Sequence, residues 1–112
     1  MPIIKIFTQK DDQKLNIKTA SELISSEMGI EPERLNLFVE AYTSGKSYRA
    51  SGNDSPIINI SARAHNGQEW IQRLMAASAK AVAAQLNVSE DSVIVYAHQI
   101  EDGYLLMNGK FT

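Results

Sequence analysis

Two isoleucine-rich runs, each opened by a proline, form the clearest hydrophobic pattern in the chain. The segment PIIKI at residues 2–6 returns as PIINI at residues 56–60. Proline has no backbone N–H for an interior ladder and therefore suits the start of a strand, while β-branched isoleucine favours extended structure. The pattern predicts strands over residues 3–8 and 56–63, in two similar halves of the chain.

The first strand leads into a segment with the three-to-four spacing of an amphipathic helix. A helix is predicted over residues 12–28, with Gly29 placed to cap its C-terminal end. Its expected buried stripe consists of Ile17, Ala20, Ile24 and Met28.

The second strand leads into a second amphipathic segment, which opens with the sequence NGQE at residues 66–69. Asn66 can accept a backbone hydrogen bond while Glu69 reaches back, so a capping box is predicted there. The expected inward face of this helix is Ile71, Leu74, Met75, Ser78, Val82 and Leu86.

Each helix is followed by an acidic turn and a new apolar run, over residues 35–42 and 93–100. In residues 35–42 apolar positions alternate with polar and aromatic ones, which is the period of a strand with two unlike faces. Copies 2–42 and 56–100 are thus predicted, joined by a polar loop over residues 43–55. At the C-terminus, an Asn-Gly pair at residues 108–109 predicts a short hairpin.

A strand–helix–strand crossover favours parallel pairing of its two strands. The sequence therefore predicts a single α/β domain over residues 1–112, with a four-stranded sheet and both helices on one face. A ferredoxin-like arrangement is the alternative fold, and strand order separates the two. The two helices leave the second face of the sheet exposed, and residues 104–111 form an apolar tail. Proteins commonly bury such apolar surface by forming oligomers, so an oligomer is expected.

The composition of the chain argues against several classes of function. With 11 Lys+Arg against 13 Asp+Glu the net charge is -2, so no general attraction to nucleic acid or an anionic membrane is expected. The chain has no cysteine, and its two histidines, His65 and His98, lack a metal-ligand spacing, so no metal site is expected. No signal-peptide or membrane-spanning run is present, which favours a soluble, cytoplasmic protein.

The proline directly after the initiator Met, the duplicated unit, the length and the C-terminal Asn-Gly-x-Phe together resemble the tautomerase superfamily. Its long, internally duplicated members are the most similar, above all a small bacterial branch with a Gly-Gln-Glu helix start, here residues 67–69. The resemblance implies a homotrimer without a cofactor, in which Pro2 becomes the N-terminal residue when Met1 is removed. It further implies that Pro2 acts as general base in keto–enol proton transfer on a small carbonyl acid.

The chain departs from the family at the positions that hold substrate. A lysine of the long members falls on Ile30, a tyrosine and an arginine fall on Ile94, and a second arginine falls on Asn66. The residues nominated as substitutes for substrate binding are Tyr96, Arg63, Lys10, Tyr42 and Arg34. A catalytically silent trimeric binding or structural module of the same fold is the alternative function.

Overall fold

A computed structural model describes residues 1–9, 15–46 and 55–112 of the chain. Its strands and helices are β1 (Ile3–Gln9), α1 (Ile17–Met28), β2 (Asn36–Tyr42), β3 (Ile57–Arg63), α2 (Gln68–Leu86), β4 (Ile94–Ile100), β5 (Leu106–Met107) and β6 (Lys110–Phe111). Single turns of 3₁₀-helix cover residues 32–34, 44–46, 64–66 and 90–92. Each half of the chain thus runs strand, helix, short 3₁₀ turn, strand.

The four long strands form one mixed sheet in the order β2-β1-β3-β4. β1 pairs in parallel with β2, and β3 pairs in parallel with β4, so each crossover joins neighbouring strands. The two halves meet where β1 and β3 pair antiparallel. This order confirms the predicted α/β sheet and excludes the ferredoxin-like alternative, in which strands of the two halves interleave.

One face of the sheet and the two helices enclose the hydrophobic core. The alternation of β1 and β3 turns every second side chain inward, so that Ile4, Ile6, Ile58 and Ile60 have no exposed surface. They pack in one cluster with apolar side chains of α1 and α2, chiefly Ile24, Leu74 and Val82. Buried alanines on both helices, Ala20, Ala77 and Ala81, leave room for the close approach of α1 and α2.

Helix α1 begins later than its apolar spacing predicts. Residues 12–14 of the predicted span lie outside the described residues, and Asn16 has an extended backbone that ends the helix on its N-terminal side. The Asn16 side chain accepts a hydrogen bond from Thr19 N at 2.9 Å, so it is the N-cap. Ile17 is therefore in the first turn and is 43% exposed, which makes its predicted burial wrong.

The predicted capping box at the start of α2 is also wrong. Gly67 is the N-cap residue, without a side-chain hydrogen bond to cap the helix. Asn66 lies instead in the preceding 3₁₀ turn, where its Nδ2 donates to the backbone oxygen of Arg63 at 3.2 Å. That bond ties the residues after β3 back to the end of the strand.

The outer face of the sheet carries large apolar side chains that nothing in the described chain covers fully. Phe38 is 54% exposed, Ile94 48% and Tyr96 43%.

The predicted C-terminal hairpin is present: β5 and β6 pair antiparallel, and Asn108 and Gly109 both have positive φ, as a tight Asn-Gly turn requires. None of the helices in the described part of the chain is long and apolar enough to cross a bilayer.

Candidate functional site

Sheet topology brings three separate segments together at one end of the sheet. Because β1 and β2 are parallel, the N-terminal residues before β1 lie beside the 3₁₀ turn 32–34 that precedes β2. Because β1 and β3 are antiparallel, the same residues lie beside the end of β3 and the turn 64–66. Ile3 accordingly pairs with Asn36 on one side and Ser61 on the other.

A small pocket of about 70 Å³ opens where these three segments meet. Met1 and Pro2 form part of its wall, next to the nonpolar side chains of Ile30 and Trp70. The remaining lining side chains are polar or basic: Arg34, Arg63, His65 and Asn66. No carboxylate lines this pocket among the described residues, so its electrostatic potential favours an anion.

Hydrogen bonds from β2 hold the chain's amino end in this pocket. The backbone N–H of Asn36 donates to the Pro2 oxygen at 3.2 Å, and Asn36 Nδ2 donates to the same oxygen at 3.3 Å. Pro2 is buried, whereas Met1 is 45% exposed. The backbone and the side chain of Asn36 therefore both fix the position of Pro2, while Met1 lies at the opening of the pocket.

The electrostatics of the pocket favour a neutral amine. Burial lowers the pKa of the Met1 α-amine below its ordinary value, because a desolvated ammonium loses hydration energy. The positive charges of Arg63 and, to a smaller extent, Arg34 lower this pKa further by repulsion. A larger fraction of the amine is consequently unprotonated at neutral pH, as a general base needs.

Three of the six nominated site residues line the same pocket: Pro2, Arg34 and Arg63. Tyr42 pairs with Gln9 at the opposite end of β1, about 20 Å from Ile3 at the usual rise per residue. Tyr96 lies on the outer face of β4, where its ring meets that of His98 edge-on at 5.6 Å. Neither tyrosine lines the pocket of its own chain. Lys10 lies outside the described residues.

The second half of the chain repeats the backbone of this site without its chemistry. Ile94 N donates to the Pro56 oxygen at 3.3 Å, as Asn36 N does to Pro2. Pro56, however, is an internal residue whose nitrogen is an amide and has no basic lone pair. Only the first copy therefore offers an amine.

Two of the three departures from the family pattern, Ile30 and Asn66, line the pocket, whereas Ile94 is on the outer sheet face. No site role is predicted for His65 or Trp70 from the sequence, yet both line the pocket as well. The antiparallel pairing of β1 with β3 is the signal that would have located them, because it places residues 64–70 beside the amino end.

The side chains that line the pocket are not those of a metal site. In residues 1–9, 15–46 and 55–112 no three His, Cys, Asp or Glu side chains come together as metal ligands would. The donors of the pocket are arginine, histidine and asparagine side chains, which suit the oxygens of a small organic anion.

The chain matches no protein-family model, and no curated protein is similar to it in sequence. Solved structures, by contrast, share its fold over nearly its whole length. A fused 4-OT solved as an asymmetric trimer superimposes with a TM-score of 0.80 at 17% identity, covering 97% of this chain and 94% of that chain.

Two further solved structures carry the same fold. Pt0534 inactivated by 2-oxo-3-pentynoate gives a TM-score of 0.74 at 14% identity, covering 96% of this chain and 91% of that one. Malonate semialdehyde decarboxylase gives 0.69 at 14% identity, covering 96% and 92%. That decarboxylase was solved in wild-type form, in inactivated form and with its first-position proline changed to alanine. All three are members of the tautomerase superfamily, whose fold this chain therefore has.

Proposed function

We propose that this protein, which has the tautomerase-superfamily fold, catalyses proton transfer on a small carbonyl acid with Pro2 as the general base. The observation that carries the proposal is the position of the chain's amino end in a pocket that also holds two arginines. A base that removes a proton from carbon must be neutral, and the pocket lowers the pKa of the α-amine that Met1 carries at this end of the chain.

Loss of Met1 turns the Pro2 nitrogen from an amide into a secondary amine. Because Pro2 lines the same pocket, we expect the burial and the positive charges that lower the pKa of the Met1 α-amine to act on the Pro2 amine as well. The hydrogen bonds from Asn36 to the Pro2 oxygen do not involve the proline nitrogen and persist after Met1 is lost. They hold the nitrogen in a defined place for the reaction.

The pocket suits a compact anion that carries a carbonyl group. Arg63 and Arg34 supply charged donors for a carboxylate, and Ile30 and Trp70 supply an apolar wall for the carbon skeleton. In the proposed step the Pro2 nitrogen takes a proton from the carbon next to the carbonyl. The C–H electron pair forms a C=C bond, and the carbonyl π pair moves to oxygen, which the cationic side chains stabilise.

The proposal includes a homotrimer. The fused 4-OT of the same fold is a trimer, and Phe38, Ile94 and Tyr96 leave half-exposed apolar surface on the outer sheet face. Covering that surface with two further copies would remove it from water.

The test begins with intact mass spectrometry of protein made without an N-terminal tag. We expect loss of Met1, catalysis of phenylpyruvate keto–enol exchange, and loss of most of that activity in Pro2→Ala. Retained Met1 would refute the proposal, since the nitrogen would remain an amide. A Met1-free protein that binds 2-oxo acids but does not turn them over would favour the silent binding module.

A covalent probe gives a second, independent readout. Because 2-oxo-3-pentynoate inactivates Pt0534, we expect it to add its mass once to the N-terminal peptide that begins at Pro2. A matched sample with Met1 retained should not be labelled there, and labelling elsewhere in the chain would contradict a reactive amino terminus.

A further inference from the structure

Among the described side chains that line the pocket, His65 is the one whose ring nitrogens can both donate and accept a proton. Arginine stays protonated throughout the pH range in which proteins fold, so Arg34 and Arg63 can stabilise charge but cannot release a proton. The Asn66 amide does not titrate. Apart from the chain amine, the His65 imidazole is therefore the proton donor and acceptor among the described residues that line the pocket.

Proton transfer on a carbonyl acid needs such a group as well as a base. When Pro2 removes a proton from carbon, negative charge collects on the carbonyl oxygen, and a full tautomerisation must place a proton there. The 3₁₀ turn 64–66 directly follows β3, so His65 is held two residues beyond Arg63 at the same end of the sheet. His65 approaches the pocket from the β3 side, while the amino end enters from β1.

We infer that His65 is the general acid of this site, which protonates the substrate oxygen as Pro2 deprotonates carbon. This inference rests on the proposed function. The C–H bond at carbon breaks and a new N–H bond forms at Pro2, while one imidazolium N–H bond breaks and the enol O–H bond forms. Transfer of the proton from the prolyl ammonium to neutral His65, directly or through water, restores both groups without any other reactant.

The charges around His65 are consistent with a site that works on an anion. Arg63 at the end of β3, Arg34 ahead of β2 and the chain amine ahead of β1 line the same pocket. On α2, Glu69 and Arg73 line the adjoining groove. A bound carboxylate would balance part of this positive charge.

The experiment compares kcat/KM for phenylpyruvate across the pH range in wild type, His65→Gln and His65→Arg. For wild type we expect a bell-shaped profile, which rises as the amine loses its proton and falls as the imidazolium loses its own. Both variants should lose at least about 100-fold in rate, since a positioned general acid contributes roughly 10²–10⁴-fold, and both should lack the alkaline fall. The arginine variant keeps a positive charge and so separates proton donation from electrostatic stabilisation. His65 is exposed, so both variants should unfold at the wild-type temperature.

The other histidine provides the matched control. His98 lies outside the pocket of its own chain, on the outer face of β4 that we propose as the trimer contact, so His98→Gln should keep the wild-type rate and profile once ultracentrifugation shows the wild-type oligomeric state. Pro2-dependent activity that survives in both His65 variants with its alkaline fall intact overturns the role of His65 alone. Absence of activity in Met1-free wild type, or full activity in Pro2→Ala, overturns the proposed function and this inference together.

Discussion

Replacement of Arg63 by glutamine tests the electrostatics of the proposed site most directly. Arg63 is half-buried at the end of β3, lines the pocket beside the amino end, and is the larger of the two charged contributions to the lowered amine pKa. Glutamine keeps a hydrogen-bond donor of similar shape but removes the positive charge. We therefore expect Arg63→Gln to change two separate observables, substrate affinity and the acidic limb of the pH profile.

The first effect is on substrate binding. A hydrogen bond to a charged group contributes about 1.5–3 kcal/mol, and each 1.4 kcal/mol corresponds to about tenfold in affinity. If Arg63 binds the substrate carboxylate, KM for a 2-oxo acid should rise by about 10- to 100-fold, measured at a pH where the catalytic amine is fully neutral.

The second effect is on the base. Arg63 lowers the pKa of the Met1 α-amine by repulsion, and we expect it to act in the same way on the Pro2 amine; without this charge the pKa should rise, so that a higher pH is needed to produce the neutral form. The acidic limb of kcat/KM against pH should therefore move to higher pH in Arg63→Gln. Burial and Arg34 still lower the amine pKa, so the limb should not reach the position of a free amine.

The assay is phenylpyruvate turnover across the pH range, with Arg73→Gln as the matched control. Arg73 is an exposed arginine on α2 that does not line the pocket, so its removal should leave KM and the acidic limb unchanged. An acidic limb that stays in place in Arg63→Gln would show that this guanidinium does not act on the base. Equal shifts in both variants would point to a general charge effect instead of a local one.

Three further predictions concern the fold and its assembly. Leu74→Ala, at a fully buried position, should lower the free energy of unfolding by about 2–5 kcal/mol in urea titrations, whereas Leu23→Ala, at a position 45% exposed, should cost far less. Asn16→Ala removes the N-cap of α1 and should cost about 1 kcal/mol in the same measurement; an unchanged midpoint would contradict the capping role. Ile94→Asp should dissociate the proposed trimer in analytical ultracentrifugation while Val88→Asp, also exposed but outside the sheet, does not; a monomeric wild type would refute the trimer.

The parts of the fold that depend on local periodicity could be predicted from the sequence. The repeated PIIKI and PIINI runs, the alternation that follows each helix and the Asn-Gly turn each depend on near neighbours, and the corresponding strands and hairpin are present. Helix starts do not follow from periodicity in the same way, because competing hydrogen bonds decide which residue caps a helix. Asn16 caps α1 inside the predicted helix, while Asn66 donates to Arg63 and caps nothing.

Which side chains could carry chemistry follows from the sequence, whereas the fold sets which of them lie together. The resemblance singled out Pro2, and Arg34 and Arg63 could be nominated as cations, but so could Tyr42, at the far end of β1. The antiparallel pairing of β1 with β3 brings Arg63 and His65 to the amino end across about 60 residues of sequence. Burial of the whole sheet face against both helices sets this long-range pairing, and it therefore cannot be predicted from local sequence patterns.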